Sequence, residues 1–482
     1  MKRKQLTLCA ALIVALSIGG SAWAAENWAV TNGLWTDVAI WDQGHVPNAA
    51  DDRAVWTNHT VTVDTVVSQP VSNIRLGVFQ RIGGNLVIDA GAALTNNGLM
   101  QISCGVTNAL GIPGLGSSMT INGTYYNGGD MIVGHVSDTG QGGILNVSSG
   151  AVLTVAGEFQ AGLGGTGIVN MVGGTVTQTG TGDTSIGIGG WQYGELNMSD
   201  GAIWVTGDDL IVGSGAGNKR TGKVTLSGGS RMSVSDDLFL AGFNAREDQN
   251  GEVIVNDARL MVWDYLYVGR ANTCTGTLTI AHADADVSAK RLLVADGGGK
   301  GTVNLLDSKL YVSGKNELLD NNIQVSSSGL VRFEKGILEW NNDSDDATDV
   351  LYGFWTNGNF AATKNDAFLP SFTNYLTAIS YSYDLGDNYT AWVGVNGATN
   401  AATFVTAIPD VVIGDISIDI DGTDAIVGWD GTNVASYTLQ SKGALTDPSW
   451  NNEQSGIPGV DGSMSATTTT TSAESFYRVT YP

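Results

Sequence analysis

The sequence is poor in cysteine, histidine, proline and basic residues, and each shortage excludes a class of protein. Only 3 of its 482 residues are cysteine and 4 are histidine, so neither a disulfide framework nor an ordinary Cys/His metal centre is expected. The 23 basic residues stand against 47 acidic ones, which gives a formal charge of −24. Such a surface repels nucleic acid and anionic lipid. Proline occurs 8 times beside 66 glycines, which argues against a flexible linker protein and favours many tight turns.

Long hydrophobic runs are also lacking, except for one near the N-terminus. The basic start MKRK, the apolar stretch LTLCAALIVALSIGG and the small-x-small site Ala22-Trp23-Ala24 predict a signal peptide over residues 1–24. No later segment reaches the roughly 18 consecutive apolar residues of a membrane helix. We therefore expect no transmembrane segment after cleavage, and secretion to the cell surface or the extracellular space of a Gram-negative-type bacterium.

The chain is rich in one repeated pattern. The stretch GGILNVSSGAVLTVAGEFQAGLGGTGIVNMVGGTVTQTG shows twice a glycine, a short alternating strand, a tight turn and a second strand. The first position of this pattern recurs every 20 to 33 residues, which is the spacing of a solenoid. The anchor positions are Gly84, Ser117, Gly143, Gly167, Gly194, Gly222, Gly251, Gly276, Gly301 and Asn321.

Each repeat predicts three short strands whose side chains alternate between an apolar core and the outside. Stacking the repeats would pair every strand in parallel with its copy in the next repeat. The sequence therefore predicts an all-β protein, a right-handed parallel β-helix (β-solenoid) of about ten three-strand coils. The residues expected to face inward include Leu145, Leu153, Leu196, Ile203, Val224, Met232, Val253 and Leu260.

The two ends depart from the repeat and define the expected domains. Residues 25–82 form a tryptophan-rich N-terminal cap with the first strands, and the alternative use of these tryptophans is a sugar-stacking platform. The coils occupy residues 83–335, and residues 336–408 form a C-terminal cap with a short helix near Asp346–Phe354. A linker at Ala407–Gly414 leads to residues 409–482, which predict a small β-sandwich with Trp429 in its core. The N-terminal tryptophans are Trp28, Trp35, Trp41 and Trp56.

Two segments resemble known proteins. The segment GLWTDVAIWDQGHVPNAADDRAVW, followed by glycine-rich coils, resembles the start of the large secreted β-helix proteins of planctomycete and verrucomicrobial bacteria. The coils themselves resemble autotransporter passenger repeats. The last segment, with SFYRV as its closing strand, resembles a fibronectin-III or immunoglobulin-like module. The first resemblance covers roughly residues 28–335 and implies export and a solenoid, without a defined activity.

The residue before each third strand forms a column of acids. Alternation points these side chains outward, and neighbouring carboxylates would repel one another by roughly 0.9 kcal/mol in water. One interpretation is a set of oxygen ligands for Ca²⁺; the other is charge that solvent screens at an exposed edge. The proposed metal ligands are Asp130, Glu158, Asp183, Asp209 and Asp237.

Two residues further along the third strand, the outward column becomes apolar in the later coils. A contiguous apolar strip of this kind is usually covered, and three covers are considered: a second copy of the chain, the C-terminal sandwich, or a polysaccharide. The alternative is a ladder that only stabilises the stacked strands. Tyr265 flanks the strip in the acidic column. The expected partner or ligand face consists of Ile211, Phe239, Tyr265, Tyr267 and Leu293.

These features favour a secreted, non-enzymatic protein with a structural or adhesive role. The alternative is a carbohydrate-active enzyme or carbohydrate-binding protein acting on extracellular glycans, like the lyases and hydrolases built on β-helices. Asp209 and Asp237 occupy equivalent positions in neighbouring coils, near the ~5 Å separation of a retaining glycosidase. A hydrolase also needs an acid of raised pKa in a dry cleft, for which the sequence shows no sign.

Overall fold

A computed structural model shows that the chain is almost entirely β-strand and forms a parallel β-solenoid of about ten turns. Each turn contains up to three strands, called here its first, second and third strands. The structure describes residues 26–49, 51, 53–56, 58–77, 83–102, 116–135, 142–188, 193–214, 220–243, 248–314, 322–334, 336–342, 345–362, 378–384, 389–396, 401–409, 416–421, 424–431, 436–442, 449–459, 462–469 and 476–480.

The chain divides into two units, and the first unit holds residues 1–224 and 229–235. Its first strands are Gly33–Leu34, Thr60–Val63, Asn85–Ile88, Ser118–Ile121, Gly142–Val147, Thr166–Val172, Tyr193–Ser199 and Arg220–Leu226, the last of which continues into the second unit. The second strands are Ala93–Asn96, Thr124–Asn127, Val152–Val155, Thr175–Gln178, Ile203–Val205 and Arg231–Val234. The third strands are Glu26–Ala29, Arg53–Trp56, Ile74–Leu76, Met100–Ile102, Met131–Val133, Phe159–Ala161, Thr184–Ile186 and Leu210–Val212.

Pairing in this unit is parallel and follows the predicted anchors. Gly143 lies opposite Gly167, and Gly167 lies opposite Gly194. The anchor is glycine because the first strand begins against the end of a third strand. A Cβ atom added at Gly167 would lie 2.3 Å from the Val133 carbonyl oxygen, a distance that no side chain can occupy. The glycine spacing therefore reflects close backbone packing between strands of successive turns.

The second unit holds residues 225–228 and 236–482. Its first strands are Gln249–Asn256, Thr275–Ala281, Lys300–Leu306, Gly329–Glu334 and Phe360–Ala362. In two turns the second and third strands merge into one continuous strand, Arg259–Val268 and Asp286–Val294. The separate second strands are Lys309–Val312 and Ile337–Trp340. The separate third strands are Leu238–Leu240 and Ile323–Val325. The described residues also include two 3₁₀ turns, Val38–Ile40 in the first unit and Asp296–Gly298 in the second.

The register corrects the last anchor. Gly301 pairs with Gly329, whereas the sequence pattern predicts Asn321, a position outside the described residues. The earlier expectation is wrong because this turn is longer than the repeat pattern suggests.

The end of the solenoid contains a helix and antiparallel strands. The helix spans Asp345–Thr356, which confirms the helix expected near Asp346–Phe354. The strands Ala378–Asp384, Tyr389–Asn396 and Ala401–Pro409 pair antiparallel with one another, and the third of them also pairs with Ile337–Trp340. The linker expected at Ala407–Gly414 is wrong for its first three residues, because they continue this last strand. No helix among the described residues is both long enough and apolar enough to span a membrane.

The apolar core confirms seven of the eight inward positions predicted from alternation, all of them almost completely buried. Ile203 is the exception, with 40% of its surface exposed. Its neighbour Trp204 is buried and lies opposite Val176 and Met232. The phase of this strand is therefore set by the buried partners of Trp204, and Ile203 takes the outward position.

The N-terminal tryptophans are partly in the core. Trp35 and Trp41 are buried, their rings meet edge to face at 5.2 Å, and the Trp41 Nε1–H donates to the Trp35 carbonyl at 3.0 Å. Buried rings cannot form a sugar-stacking platform, so the arrangement supports a cap. The side chain of Trp56 lies outside the described residues.

The C-terminal segment consists of two three-stranded antiparallel sheets. One sheet holds Ser417–Asp421, Asp424–Gly431 and Gly462–Thr469, and the other holds Tyr437–Lys442, Asn451–Ile457 and Phe476–Thr480. Trp429 from the first sheet meets Tyr437 from the second at 5.7 Å in a shared apolar core, against which Tyr477 also packs. The core position predicted for Trp429 is confirmed.

Replacing Leu196 by Asp should lower the free energy of unfolding by several kcal/mol, because an unpaired carboxylate would be buried between turns. Val172 offers a matched control, since it lies exposed in the neighbouring first strand, so Val172→Asp should have little effect. Chemical denaturation of both variants measures the difference. Equal stability of the two variants would show that the inward phase of this strand is misassigned.

Candidate functional site

Three of the five acids before the third strands bond to the backbone of the following turn. The Asp130 carboxylate accepts a hydrogen bond from the Glu158 backbone N–H at 3.0 Å, and Asp237 accepts one from the Tyr265 N–H at 2.9 Å. Asp183 is bonded in the same way to the Asp209 backbone. Each donor occupies the column position of its acceptor in the next turn, so the carboxylates extend the ladder of backbone hydrogen bonds at the corner of the turn.

The pKa of Asp183 shows the effect of its surroundings in this column. Burial raises the pKa of its carboxyl group above the ordinary value, and the nearby charges of Asp208 and Glu158 raise it further. The hydrogen bond from the Asp209 backbone acts in the opposite direction. Like charges on successive turns therefore destabilise the ionised form, as expected for carboxylates stacked at strand spacing.

Two groups of side chains in the second unit lie close enough together to share a cation. In the described part of the second unit, ligand atoms of Asp236, Asp237 and Asp264 lie within 4.8 Å of one another, as do those of Asp257, His282 and Asp284. Asp237 is the one member of these two groups that belongs to the predicted ligand set. Ca²⁺ binding by Asp130, Glu158, Asp183, Asp209 and Asp237 stays a prediction.

The apolar strip of the third strands is buried rather than open. Phe239 lies opposite Tyr267, and Tyr267 lies opposite Leu293. Other parts of the chain cover four of the five positions of the expected face, and Tyr265 is partly buried. A partner or ligand on this face stays a prediction. The four positions are between 3% and 8% exposed: Ile211, Phe239, Tyr267 and Leu293.

A stack of rings and guanidinium groups forms this cover in the second unit. The rings of Phe239 and Tyr267 are parallel at 4.7 Å, and Tyr265 stacks on Tyr267 at 5.2 Å. The Arg270 guanidinium lies 4.6 Å from the centre of the Tyr267 ring and also pairs with Asp296 at 3.7 Å. Phe243 packs edge to face on Phe239 at 4.9 Å. This packing agrees with the alternative interpretation of the strip, a ladder of side chains that stabilises the stacked strands.

Arg291 contacts the Tyr265 ring of this stack. Its guanidinium lies 4.5 Å from the Tyr265 ring centre and donates a hydrogen bond to the Tyr265 hydroxyl. The residue occupies the column in which earlier turns carry acids, and it lies opposite Tyr265 in register. The acidic column thus ends in a cation–π pair.

A groove on the second strands of the same unit is a candidate binding site. It has a volume of about 480 Å³ and lies over four successive second strands. At its edge the Trp263 side chain is 62% exposed. A register shift between Val262 and Tyr265 marks a β-bulge at this point, and bulges redirect side chains. The other lining residues are Arg259, Met261, Val262, Asp286, Ser288, Ala289, Lys309, Tyr311, Ser313 and Glu339.

Charged pairs flank the groove. Arg259 and Asp286 lie 3.2 Å apart in exposed positions, and Lys309 pairs with Glu339, whose side chain is 1% exposed. Burial raises the pKa of Tyr311, and the Glu339 charge raises it further. The Glu339 Oε1 atom has no hydrogen-bond partner. The groove therefore offers an aromatic wall, balanced charges and one buried acceptor that lacks a donor.

Sequence reasoning missed Trp263, although a signal was present. In earlier turns the corner before the acidic column holds small residues such as Gly207 and Ser235, and here it holds tryptophan. A large aromatic side chain at a solvent-facing corner is a departure from the repeat that packing alone does not require.

Replacing Asp183 by Asn should raise the melting temperature at pH 7, because asparagine keeps an oxygen acceptor for the Asp209 N–H without the charge. A carboxyl group whose pKa is raised in the folded state binds protons more tightly there, so the native protein loses stability as the pH rises through that pKa. The gain should therefore disappear near about pH 3, where aspartate is protonated in both states. Asp64→Asn, exposed and outside the column, is the control. A gain that is equal at both pH values would argue against charge repulsion.

Replacing Arg270 by Ala should lower the unfolding free energy by about 1 kcal/mol, because the cation–π contact and the Asp296 pair are lost. The exposed ring faces should also bind a hydrophobic dye more strongly. Arg231→Ala, an exposed arginine of the first unit, is the control in urea denaturation. If the two variants lose the same stability, the aromatic stack does not depend on its guanidinium cover.

Comparison with family models, with curated proteins and with solved structures finds no match for this chain. Fold class and the geometry of these surfaces are accordingly the grounds on which a function can be assigned.

Proposed function

We propose that the protein is a secreted, non-enzymatic β-solenoid with a structural or adhesive role at the surface, or in the extracellular matrix, of a Gram-negative-type bacterium. The signal-like N-terminus and the strongly acidic composition support export and solubility outside the cell. The resemblance to secreted planctomycete and verrucomicrobial β-helix proteins points in the same direction. The C-terminal module, similar to fibronectin-III and immunoglobulin-like domains, attaches or spaces the solenoid in this role.

The observation that carries the proposal is how the outward side chains are used. In the first unit the Asn170 amide donates to Asn146 at 3.1 Å, and the Asn197 amide donates to Asn170 at 3.2 Å. Asp130 and Asp237 bond to the backbone of the next turn, and Phe239 stacks on Tyr267. Polar and aromatic groups that could serve catalysis are thus engaged in joining turns, which is the requirement of a rigid extracellular scaffold.

The second candidate is a protein that acts on extracellular carbohydrate, and the Trp263 groove favours it. An exposed indole beside paired charges suits contact with sugar rings and hydroxyls. Both groove carboxylates, Asp286 and Glu339, have a cationic neighbour. This pairing suits carbohydrate binding better than the proton donation that a glycosidase requires.

The full chain should adhere without cleaving. Beads coated with the protein should attach to polysaccharide-coated beads or to Gram-negative cells more than albumin-coated beads do. Incubation with pectin, alginate, xylan, β-glucan and chondroitin sulfate should release neither new reducing ends nor unsaturated sugars. Catalytic release of products from any of these polymers would overturn the non-enzymatic assignment, and attachment equal to that of albumin would overturn the adhesive role.

A further inference from the structure

We infer that the groove beside Trp263 binds an extended, neutral polysaccharide that lies across successive turns. The inference rests on the adhesive role proposed above and names the ligand of one surface. It combines four observations: an exposed aromatic side chain, a second aromatic residue two turns further along the groove, a buried acceptor without a donor, and balanced charge.

Trp263 supplies a stacking platform. Its side chain is 62% exposed and stands at a β-bulge, where the strand leaves the regular alternation. An indole exposed to this degree leaves apolar surface in water that ordinary packing would remove. The apolar face of a pyranose ring covers such a surface while its hydroxyl groups stay hydrated, so a sugar is a better match than an apolar ligand.

Tyr311 is a second aromatic side chain in the groove, and its spacing from Trp263 suits a chain of sugar rings. Met261, Ser288 and Tyr311 are in register on three successive strands, and Trp263 follows Met261 by two residues. Two turns correspond to about 10 Å along the solenoid, which is close to the length of a disaccharide unit. A linear polysaccharide crossing the strands can therefore contact Trp263 with one ring and Tyr311 with the ring two units away.

Glu339 supplies a polar contact on the floor of the groove. Its side chain is 1% exposed and lines the groove, with one oxygen paired to Lys309 and the other, Oε1, lacking a hydrogen-bond partner. A buried acceptor without a donor destabilises the folded protein. Because Oε1 has almost no accessible surface in this structure, a sugar hydroxyl would donate to it, and remove this cost, once the Glu339 side chain turns toward the groove. The exposed Arg259–Asp286 pair offers both a donor and an acceptor at the rim.

The balanced charges of the groove and the negative charge of the chain favour binding of a neutral glycan over an acidic one. Arg259 and Lys309 are balanced by Asp286 and Glu339, so the groove has no excess of positive charge. The chain as a whole carries −24, which repels polyanions. An acidic polysaccharide would find neither a basic patch nor a favourable long-range field.

Affinity electrophoresis of the full chain in gels containing xylan, mannan or mixed-linkage β-glucan tests the inference, with alginate and chondroitin sulfate as acidic counterparts. At least one neutral polymer should retard the protein. Trp263→Ala should weaken that interaction about tenfold or more, which equals about 1.4 kcal/mol. Tyr126→Ala, an exposed aromatic in the first unit, should leave it unchanged. Glu339→Gln should weaken it several-fold, with thermal melting used to confirm that each variant is folded.

The outcomes separate the groove from the general proposal. Retardation by neutral polymers that is unchanged in Trp263→Ala, or retardation by acidic polymers alone, would overturn the groove assignment and leave the adhesive role intact. Absence of retardation by every polymer would likewise overturn the groove assignment, while the bead assay still judges adhesion. Retardation lost in Trp263→Ala together with product release would support the groove and overturn the non-enzymatic role.

Discussion

The parallel, in-register pairing of successive turns is the constraint on which the rest of the structure depends. Each residue of a strand lies opposite its equivalent in the next turn, at a spacing of about 4.8 Å. A position in the repeat is therefore a column, and in the most regular columns a side chain meets copies of its own type or near relatives. Glycine recurs at the anchors for this reason: once Gly143, Gly167 and Gly194 are stacked, the close backbone contact repeats on each turn.

The same constraint determines what the outward columns can do. Stacked asparagines are favourable, since the amide of Asn170 donates to Asn146 and accepts from Asn197. Stacked rings are also favourable, as Phe239 and Tyr267 show. Stacked carboxylates repel: burial raises the pKa of Asp183, and the neighbouring charges of Asp208 and Glu158 raise it further. The column survives because each bonded carboxylate also receives a backbone N–H from the next turn, so a hydrogen bond offsets part of the charge repulsion.

Period and alternation were sufficient to predict the solenoid and most of its core from the sequence, because burial repeats with the backbone. Leu196 could be placed inward on this basis, but Ile203 could not, since its strand takes its phase from the larger neighbour Trp204. The burial of Phe239 and Tyr267 also could not be predicted from the alternation of side chains along the strand. It comes from Arg270 and Phe243, which lie beyond the ends of the strands. Strand patterns predict direction, whereas burial of an outward residue depends on what the adjoining loops place over it.

Departures from the repeat are therefore the most informative positions for function. A residue that obeys its column is explained by packing between turns, whereas Trp263 stands at a corner that holds Gly207 and Ser235 in earlier turns. The bulge between Val262 and Tyr265 breaks the register there, and the Trp263 side chain is 62% exposed. The Trp263 groove lies at this interruption of the repeat, and we propose that its exposed ring is used to bind a sugar.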